Sequence, residues 1–125
     1  MKVLDTSVAV DHLRGAAAAT ALLSGLIGAG EEVVVSEIVR FELLAGVRRR
    51  DADALEAFFA ALTWVPVDEQ VARGAGLLAG KYRRSHDGID DSDYVIAATA
   101  MLLDAQLLTT NVRHFPMFTS LTPPY

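Results

Sequence analysis

The sequence contains no cysteine, few prolines and no long hydrophobic run, and each absence excludes a class of protein. A chain without cysteine has no thiolate chemistry, no iron–sulfur cluster and no zinc site of the Cys type. No stretch approaches the ~18 apolar residues that a membrane span requires. Asp5 stands where a signal peptide would be apolar. We therefore expect a soluble, cytoplasmic protein that does not bind a membrane.

Positive charge is scarce as well. The chain has 11 Lys and Arg residues against 16 Asp and Glu residues, a formal net charge of −5. This balance argues against a surface coated in positive charge for nucleic acid. Disorder is excluded because 52% of the residues are hydrophobic. At about 100–200 residues per domain, residues 1–125 form a single domain.

Short apolar strand signals alternate with helical patterns along the chain. The predicted strands are 2–4, 33–35, 64–67 and 106–109, with a possible last edge strand at 118–121. The predicted helices are 7–13, 16–26, 36–47, a segment from Asp51 or Asp53 to 62, 68–84 and a segment from Asp91 or Ser92 to 103. This order predicts an α/β fold, a three-layer α/β/α sandwich with a mostly parallel central sheet. In such sheets, ligands bind beyond the carboxyl ends of the strands.

Two acidic residues occupy notable positions in the first half of the chain. Asp5 directly follows the first predicted strand, where it is either a loop residue that caps a helix or part of a site. On a helical wheel, Glu42 lies within an apolar arc together with Ile38, Phe41 and Ala45. A glutamate there is either buried and paired, or a boundary residue whose carboxylate reaches solvent.

A second group of acids opens the last predicted helix. Asp93 shares a helical face with apolar residues that are expected to pack on the sheet. The first turn of a helix favours an anion, which accounts for one or two of Asp90, Asp91 and Asp93. Three acids within four positions nevertheless repel one another unless a cation intervenes. Asn111 follows the fourth strand, and by itself it is an ordinary turn residue.

In a parallel sheet these acids and the amide converge at one edge. Oxygen ligands without cysteine suit a hard cation, Mg²⁺ or Mn²⁺, rather than zinc. Enzymes that use such a cation usually act on a phosphate group.

Four segments at these positions resemble the motifs of PIN-domain ribonucleases. They are Met1–Ser7, Ser36–Gly46, Asp93–Ala100 and Leu108–Phe115. They occur in the family's order and extend over nearly the whole chain. The length is similar to that of the VapC toxins of bacterial toxin–antitoxin pairs.

The resemblance implies roles for individual residues. It implies that Asp5, Glu42 and Asp93 are catalytic and bind the metal, with Asn111 as a fourth ligand. Since the fourth position is often Asp in the family, the neutral amide leaves open whether one or two metal ions bind. Thr6 and Ser7 would be hydroxyls supporting Asp5, and Asp90 would support the site while Asp91 caps the helix.

The resemblance also implies the activity and the partners. It implies a Mg²⁺-dependent endoribonuclease that cuts tRNA or ribosomal RNA and leaves 5′-phosphate and 3′-hydroxyl ends. A homodimer and a VapB-like antitoxin are the expected partners.

Basic and histidine side chains supply fewer signals. Arg113, beside Asn111, is the candidate for contacting RNA phosphate. The groups Arg48–Arg50 and Lys81–Arg84 either bind RNA or complement helix dipoles at C-terminal ends. The three histidines lack zinc-ligand spacing and are interpreted as surface or turn residues; they are His12, His86 and His114.

Two other functions compete with the nuclease. The first is a catalytically inactive PIN-like module that binds a partner and keeps the acids only as caps. The second is an aspartyl-phosphate phosphotransferase with Asp5 as nucleophile, but the second carboxylate it usually needs is replaced by Ser7. An apolar group serves either the antitoxin groove or, in the preferred interpretation, the core; its members are Phe58, Phe59, Leu62 and Trp64.

Overall fold

The computed structural model describes residues 1–125. Its strands are β1 (Lys2–Leu4), β2 (Val33–Ser36), β3 (Thr63–Val65) and β4 (Gln106–Leu108). Its helices are α1 (Thr6–Leu13), α2 (Ala17–Gly28), α3 (Glu37–Gly46), α4 (Ala52–Ala60), α5 (Glu69–Tyr82) and α6 (Asp91–Leu102). Short 3₁₀ turns cover Arg49–Asp51 and Val112–His114. The predicted alternation of strands and helices is confirmed.

The sheet is covered on both faces. Side chains alternate between the two faces along a strand, yet Val33, Val34 and Val35 of β2 are all buried. The same is true of Val3 and Leu4 in β1. Consecutive β-branched residues favour such a strand because they pack well on either side of the pleat. The structure therefore has the three layers that the sequence predicts.

All strands are parallel, and their order across the sheet is β3-β2-β1-β4. The chain moves outward from β1 through β2 to β3, and then returns to place β4 on the other side of β1. Ligand sites in open parallel sheets form where the strand order reverses in this way. Leu4 pairs with Leu108, and the N–H of Asp5 donates to the Leu108 carbonyl oxygen at 3.0 Å. The residues that follow β1 and β4 are thus neighbours.

Helices α3 and α6 each begin at a residue that caps the helix. The Ser36 hydroxyl accepts a hydrogen bond from the N–H of Ile38 at the start of α3. Helix α6 begins after Asp90, which is its cap, so the prediction that Asp91 caps this helix is wrong. Asp91 is exposed and instead forms an ion pair with Arg83 at the end of α5.

Two strand predictions need correction. Strand β3 ends at Val65, before Pro66, because proline has no N–H to donate to a neighbouring strand. Residues 118–121 form turns instead of an edge strand. The N–H of Phe118 bonds back to the Phe115 carbonyl oxygen, and Phe118 and Leu121 pack against the core. Their apolar character is therefore used in packing and not in strand pairing.

The apolar group of Phe58, Phe59, Leu62 and Trp64 belongs to the core, which is the interpretation that the sequence favoured. Phe59 is buried, and Phe58, Leu62 and Trp64 pack against the same core. The Trp64 indole N–H donates to the Phe59 carbonyl oxygen at 2.9 Å, which satisfies its polar end.

None of the helices has the length and apolar character needed to span a membrane.

Candidate active site

A cavity of about 350 Å³ lies at the carboxyl ends of β1 and β4. Its lining consists of Asp5, Thr6, Ser7, Val10, Asp11, Arg14, Glu42, Asp90, Asp93, Thr110, Asn111 and His114. We call it the acidic pocket, because five of its twelve lining residues are Asp or Glu. The structure brings together every predicted metal-ligand and supporting residue here. Arg113 is the one predicted site residue that does not line the pocket.

Asp5 is held rigidly at the end of β1. Only 2% of its surface is exposed, and two hydroxyls bind the same carboxylate oxygen. Ser7 Oγ donates to Asp5 Oδ2 at 2.8 Å, and Thr109 Oγ1 donates to it at 2.6 Å. The Oδ1 atom accepts no hydrogen bond within the chain, so it remains free for a ligand of the pocket.

Backbone groups after β4 hold these two hydroxyls in place. The N–H of Asn111 donates to Thr109 Oγ1 at 2.9 Å, which directs the Thr109 hydroxyl hydrogen toward Asp5. The N–H of Thr110 donates in the same way to Ser7 Oγ at 3.1 Å. Thr109 is fully buried, and sequence reasoning missed it as a site residue. Its position directly after the last strand, opposite Asp5, is the signal that identifies it.

Glu42 is half-buried and bound by hydroxyls on both sides. Thr6 Oγ1 donates to Glu42 Oε1 at 2.7 Å, and Ser92 Oγ donates to Oε2 at 3.3 Å. Thr6 therefore supports Glu42, whereas the resemblance placed it near Asp5, and Ser92 was not predicted at all.

The predicted apolar arc around Glu42 is wrong. The buried face of α3 consists of Val39 and Leu43, which are one helical turn apart. Phe41 is 66% exposed, so it does not share a buried face with Glu42. Glu42 lies at the border of the buried face, where its carboxylate reaches the acidic pocket.

Asp93 is the most strongly perturbed acid of the pocket. It is 8% exposed, and its Oδ2 accepts a hydrogen bond from the N–H of Asp90 at 3.0 Å. His114 Nδ1 lies 3.2 Å from the same oxygen. Burial raises the pKa of Asp93 from 3.8 to about 6, the Asp90 N–H opposes this shift, and the charge of Asp5 adds to it. The predicted support from Asp90 thus comes through its backbone N–H.

His114 lies in a turn, as interpreted from the sequence, but its ring also lines the acidic pocket, which the sequence did not indicate. A 3₁₀ turn after Asn111 directs its ring into the acidic pocket, against Asp93. The other two histidines lie elsewhere: His12 contacts Thr20 and the Phe58 ring, and His86 contacts Ser85 and the Tyr82 ring. The sequence signal for His114 was its position three residues after Asn111, which follows strand β4. A search for the spacing of zinc ligands does not detect this signal.

The donor set of the pocket fits a hard divalent cation. The available ligand atoms are carboxylate and amide oxygens of Asp5, Glu42, Asp93 and Asn111, and Mg²⁺ prefers such oxygens. Burial is the main cause of the raised pKa of Asp93, and the nearby charge of Asp5 adds to it; a bound cation would favour the ionised form of both carboxyls. As placed, no three Asp, Glu or His side chains are arranged so that they could hold an ion.

Basic side chains near the pocket differ from the prediction. Arg113 is exposed and lies outside the lining, because the 3₁₀ turn directs its neighbour His114 inward instead. Arg14, at the end of α1, is the only Lys or Arg that lines the pocket. The Arg48–Arg50 group is exposed and follows the end of α3, away from the lining residues.

Sequence comparison places the chain among known proteins over its full length. The model of the family described as PIN domain matches residues 2–116. The chain is 64% identical to Ribonuclease VapC19 of Mycobacterium tuberculosis over 125 residues, which is all of both chains. It is 40% identical to Ribonuclease VapC10 of the same organism over 127 residues, covering 100% of this chain and 93% of that protein.

Solved structures share the fold. A toxin–antitoxin complex from Klebsiella pneumoniae has a TM-score of 0.82 at 20% identity, with 100% of this chain and 98% of that chain covered. VapBC2 from Rickettsia felis, solved bound to a DNA fragment from its promoter, also has a TM-score of 0.82. Its identity is 21%, with 98% of this chain and 96% of that chain covered.

Proposed function

Because this chain belongs to the PIN-domain family, we propose that it is a metal-dependent endoribonuclease and the toxin of a toxin–antitoxin pair. The observation that carries the proposal is the convergence of Asp5, Glu42, Asp93 and Asn111 on one pocket at the reversal of strand order. Its full-length similarity to proteins named ribonucleases, at 64% and 40% identity, supports the same activity.

The metal is proposed to be Mg²⁺, with Mn²⁺ as an alternative. Asp5, Glu42, Asp93 and the amide oxygen of Asn111 would hold it. When bound, the ion lowers the pKa of a water molecule and stabilises charge on the phosphate oxygens. These oxygen ligands suit Mg²⁺, which is a hard cation and prefers oxygen donors in near-octahedral geometry.

The residues of the chain itself supply orientation and charge balance. Ser7 and Thr109 hold one oxygen of Asp5 and leave the other free for the pocket. Thr6 and Ser92 fix Glu42 from opposite sides. The His114 ring lies against Asp93, with Nδ1 3.2 Å from Oδ2 of that desolvated carboxyl. Together these contacts keep three acids close to one another and close to the phosphodiester that is to be hydrolysed.

The same geometry disfavours an aspartyl-phosphate mechanism. Such a mechanism usually needs a second carboxylate two residues after the nucleophile, and Ser7 occupies that position. The Ser7 hydroxyl donates to Asp5, so it positions this carboxylate and does not hold a cation with it.

An antitoxin and a second copy of the chain are the proposed protein partners. Support for the antitoxin comes from the solved neighbours, which are named as a toxin–antitoxin complex and as VapBC assemblies. The RNA substrate, tRNA or ribosomal RNA, and the homodimer rest on family membership.

The test is cleavage of total RNA by purified, antitoxin-free protein with Mg²⁺ and with EDTA. We expect cleavage that requires the metal and falls at least about a hundredfold in Asp5→Asn and in Asp93→Asn, since loss even of groups around metal ligands costs 10–100-fold. Both variants are nearly isosteric, and circular dichroism spectra that match the wild type verify their fold. Full activity in either folded variant contradicts the site assignment.

A second outcome would favour the inactive partner-binding module. If the wild-type protein binds its antitoxin but cleaves no RNA with Mg²⁺ or Mn²⁺, the acids act only as caps and structural groups. Complex formation alone does not discriminate, because antitoxin binding is compatible with both functions.

A further inference from the structure

Arg14 is a cation that the acidic pocket leaves without a protein partner. It caps the C-terminal end of α1, is exposed, and is the only Lys or Arg in the lining. Its guanidinium forms no ion pair within 4.0 Å, whereas Arg40, Arg50, Arg73 and Arg83 each pair with an acid. An unpaired arginine beside so many acids is available for an anionic ligand.

Asp11 would be the ordinary partner of Arg14, and it is occupied by another group. The two residues are three positions apart on α1, a spacing at which helix side chains meet. Asp11 Oδ2 instead accepts a hydrogen bond from the Tyr125 hydroxyl at 2.7 Å. The Tyr125 hydroxyl thereby orients Asp11, and Arg14 forms no ion pair with it.

We propose that Arg14 binds a phosphate of the RNA that flanks the scissile phosphate. This inference rests on the proposed ribonuclease function. Asp5 and Arg14 border α1 at its two ends, about 13 Å apart along an axis that rises 1.5 Å per residue. The backbone of Arg14 is therefore at the opposite end of α1 from Asp5, while both residues line the same pocket. An arginine binds phosphate in a bidentate manner, so this contact would direct the RNA strand along α1.

The protein as a whole carries a net negative charge, which repels RNA. A net charge of −5 and a pocket rich in acids require a local cation to retain a polyanion. Arg113, the candidate from the sequence, lies outside the pocket, and Arg14 lies on its wall. The geometry thus favours Arg14 for the contact next to the cleaved bond.

The experiment measures binding of a short single-stranded RNA by fluorescence anisotropy. All proteins carry Asp5→Asn, so that the RNA survives, and the variant is Arg14→Gln. The matched control is Arg49→Gln, which removes an exposed arginine without an ion pair that lies outside the pocket. We expect Arg14→Gln to raise Kd about tenfold for every RNA sequence and to reduce the log–log salt slope by about one. Arg49→Gln should leave both quantities unchanged, and Arg14→Lys should recover part of the affinity.

Two results would overturn the proposal. One is an unchanged Kd and salt slope in Arg14→Gln, and the other is a loss of equal size in Arg49→Gln. Cleavage by otherwise wild-type protein separates this inference from the ribonuclease proposal. If wild-type protein cleaves RNA and Arg14→Gln leaves KM unchanged, only the phosphate contact fails. If wild-type protein cleaves nothing while Arg14 still sets the salt slope, only the ribonuclease proposal fails.

The role of Tyr125 has its own test. Tyr125→Phe removes the hydroxyl that holds Asp11, so Asp11 should pair with Arg14 and weaken RNA binding severalfold. Adding Asp11→Asn to this variant should restore the affinity, because the competing carboxylate is gone. Weaker binding that Asp11→Asn does not restore contradicts this role for Tyr125.

Discussion

The fully buried hydroxyl of Thr109 donates a hydrogen bond of 2.6 Å to Asp5 Oδ2, across a separation of 104 residues. The N–H of Asn111 donates to the same Thr109 oxygen, so the hydroxyl hydrogen is directed at the carboxylate. Asp5 therefore receives its orientation from the strand beside it. Groups that orient a metal ligand in this way determine much of the affinity of the site.

We predict that Thr109→Val weakens Mg²⁺ binding by about 10–100-fold, since Asp5 loses one of its two hydroxyl donors. Valine has nearly the shape of threonine, so the change removes the hydrogen bond and little packing. Mn²⁺ titration by calorimetry and the Mg²⁺ dependence of RNA cleavage measure the effect.

Thr99→Val is the matched control for this prediction. Thr99 is also buried, but its hydroxyl donates to the Val95 carbonyl oxygen within α6. We expect no change in metal affinity from Thr99→Val. Equal metal affinity in Thr109→Val and wild-type protein would show that Thr109 does not position Asp5.

Mg²⁺ should stabilise the folded protein, because an ion that binds only the folded state adds free energy by mass action. At a concentration one hundred times Kd this amounts to about 2.7 kcal/mol. We expect scanning calorimetry to show Tm several degrees higher in Mg²⁺ than in EDTA for wild-type protein, and no such difference for Asp5→Asn. A metal-induced rise of Tm that persists in Asp5→Asn would place the ion elsewhere.

The raised pKa of Asp93 predicts a pH dependence of stability in metal-free protein. The pKa of Asp93 is about 6 in the folded state, whereas an unburied aspartate of the unfolded state has a pKa of 3.8. Between these values the folded state binds more protons than the unfolded state, so the free energy of unfolding falls as pH rises from about 4 to about 6. The loss is on the order of 3 kcal/mol.

Urea unfolding in EDTA across this pH range tests the prediction, with Asp93→Asn as reference. Other carboxyl groups titrate in both proteins, so the relevant quantity is the difference in unfolding free energy between them. We expect wild-type protein to lose stability relative to Asp93→Asn as pH rises. A difference that stays constant with pH would mean that the folded protein does not hold this proton.

Two glycines of α5 should respond differently to alanine. A Cβ at Gly80 meets nothing within 4 Å, so Gly80→Ala should stabilise the helix by about 0.5–1 kcal/mol. A Cβ at Gly74 lies 3.3 Å from the Ala98 Cβ of α6, which is a tight contact between packed helices. We expect Gly74→Ala to be less stable than Gly80→Ala by about 1 kcal/mol or more in urea unfolding. Equal stabilities would show that the contact between α5 and α6 accommodates an added methyl group at Gly74 without strain.

The sequence predicted the sheet and the carboxylates because both leave strong local signals. The valine run of β2 indicates a strand buried on both faces, and Asp5 and Asp93 stand out as acids beside apolar runs. The edge position of β4 was less accessible to such reasoning. Residues 118–121 resemble a strand, and only the packed structure shows that Phe118 and Leu121 cover the core without strand pairing.

The supporting residues of the site were harder to predict, since their roles depend on which segments become neighbours. Thr109 and Ser92 are ordinary residues in sequence, and their contacts with Asp5 and Glu42 join distant parts of the chain. The inward direction of His114 depends on a single 3₁₀ turn, which spacing alone does not specify. Side-chain direction at a loop is thus the main information that the sequence pattern lacked.

The position of β4 has a consequence for synthesis of the protein. On the ribosome, Thr109 emerges 104 residues after Asp5, and the neighbouring strand β4 emerges just before Thr109. Asn111 and His114 follow later still. A translation product that stops before residue 106 therefore has no β4 and no closed pocket, and it cannot assemble the proposed nuclease centre. The order of the strands therefore delays assembly of the acidic pocket until β4 and the turn after it have been synthesised.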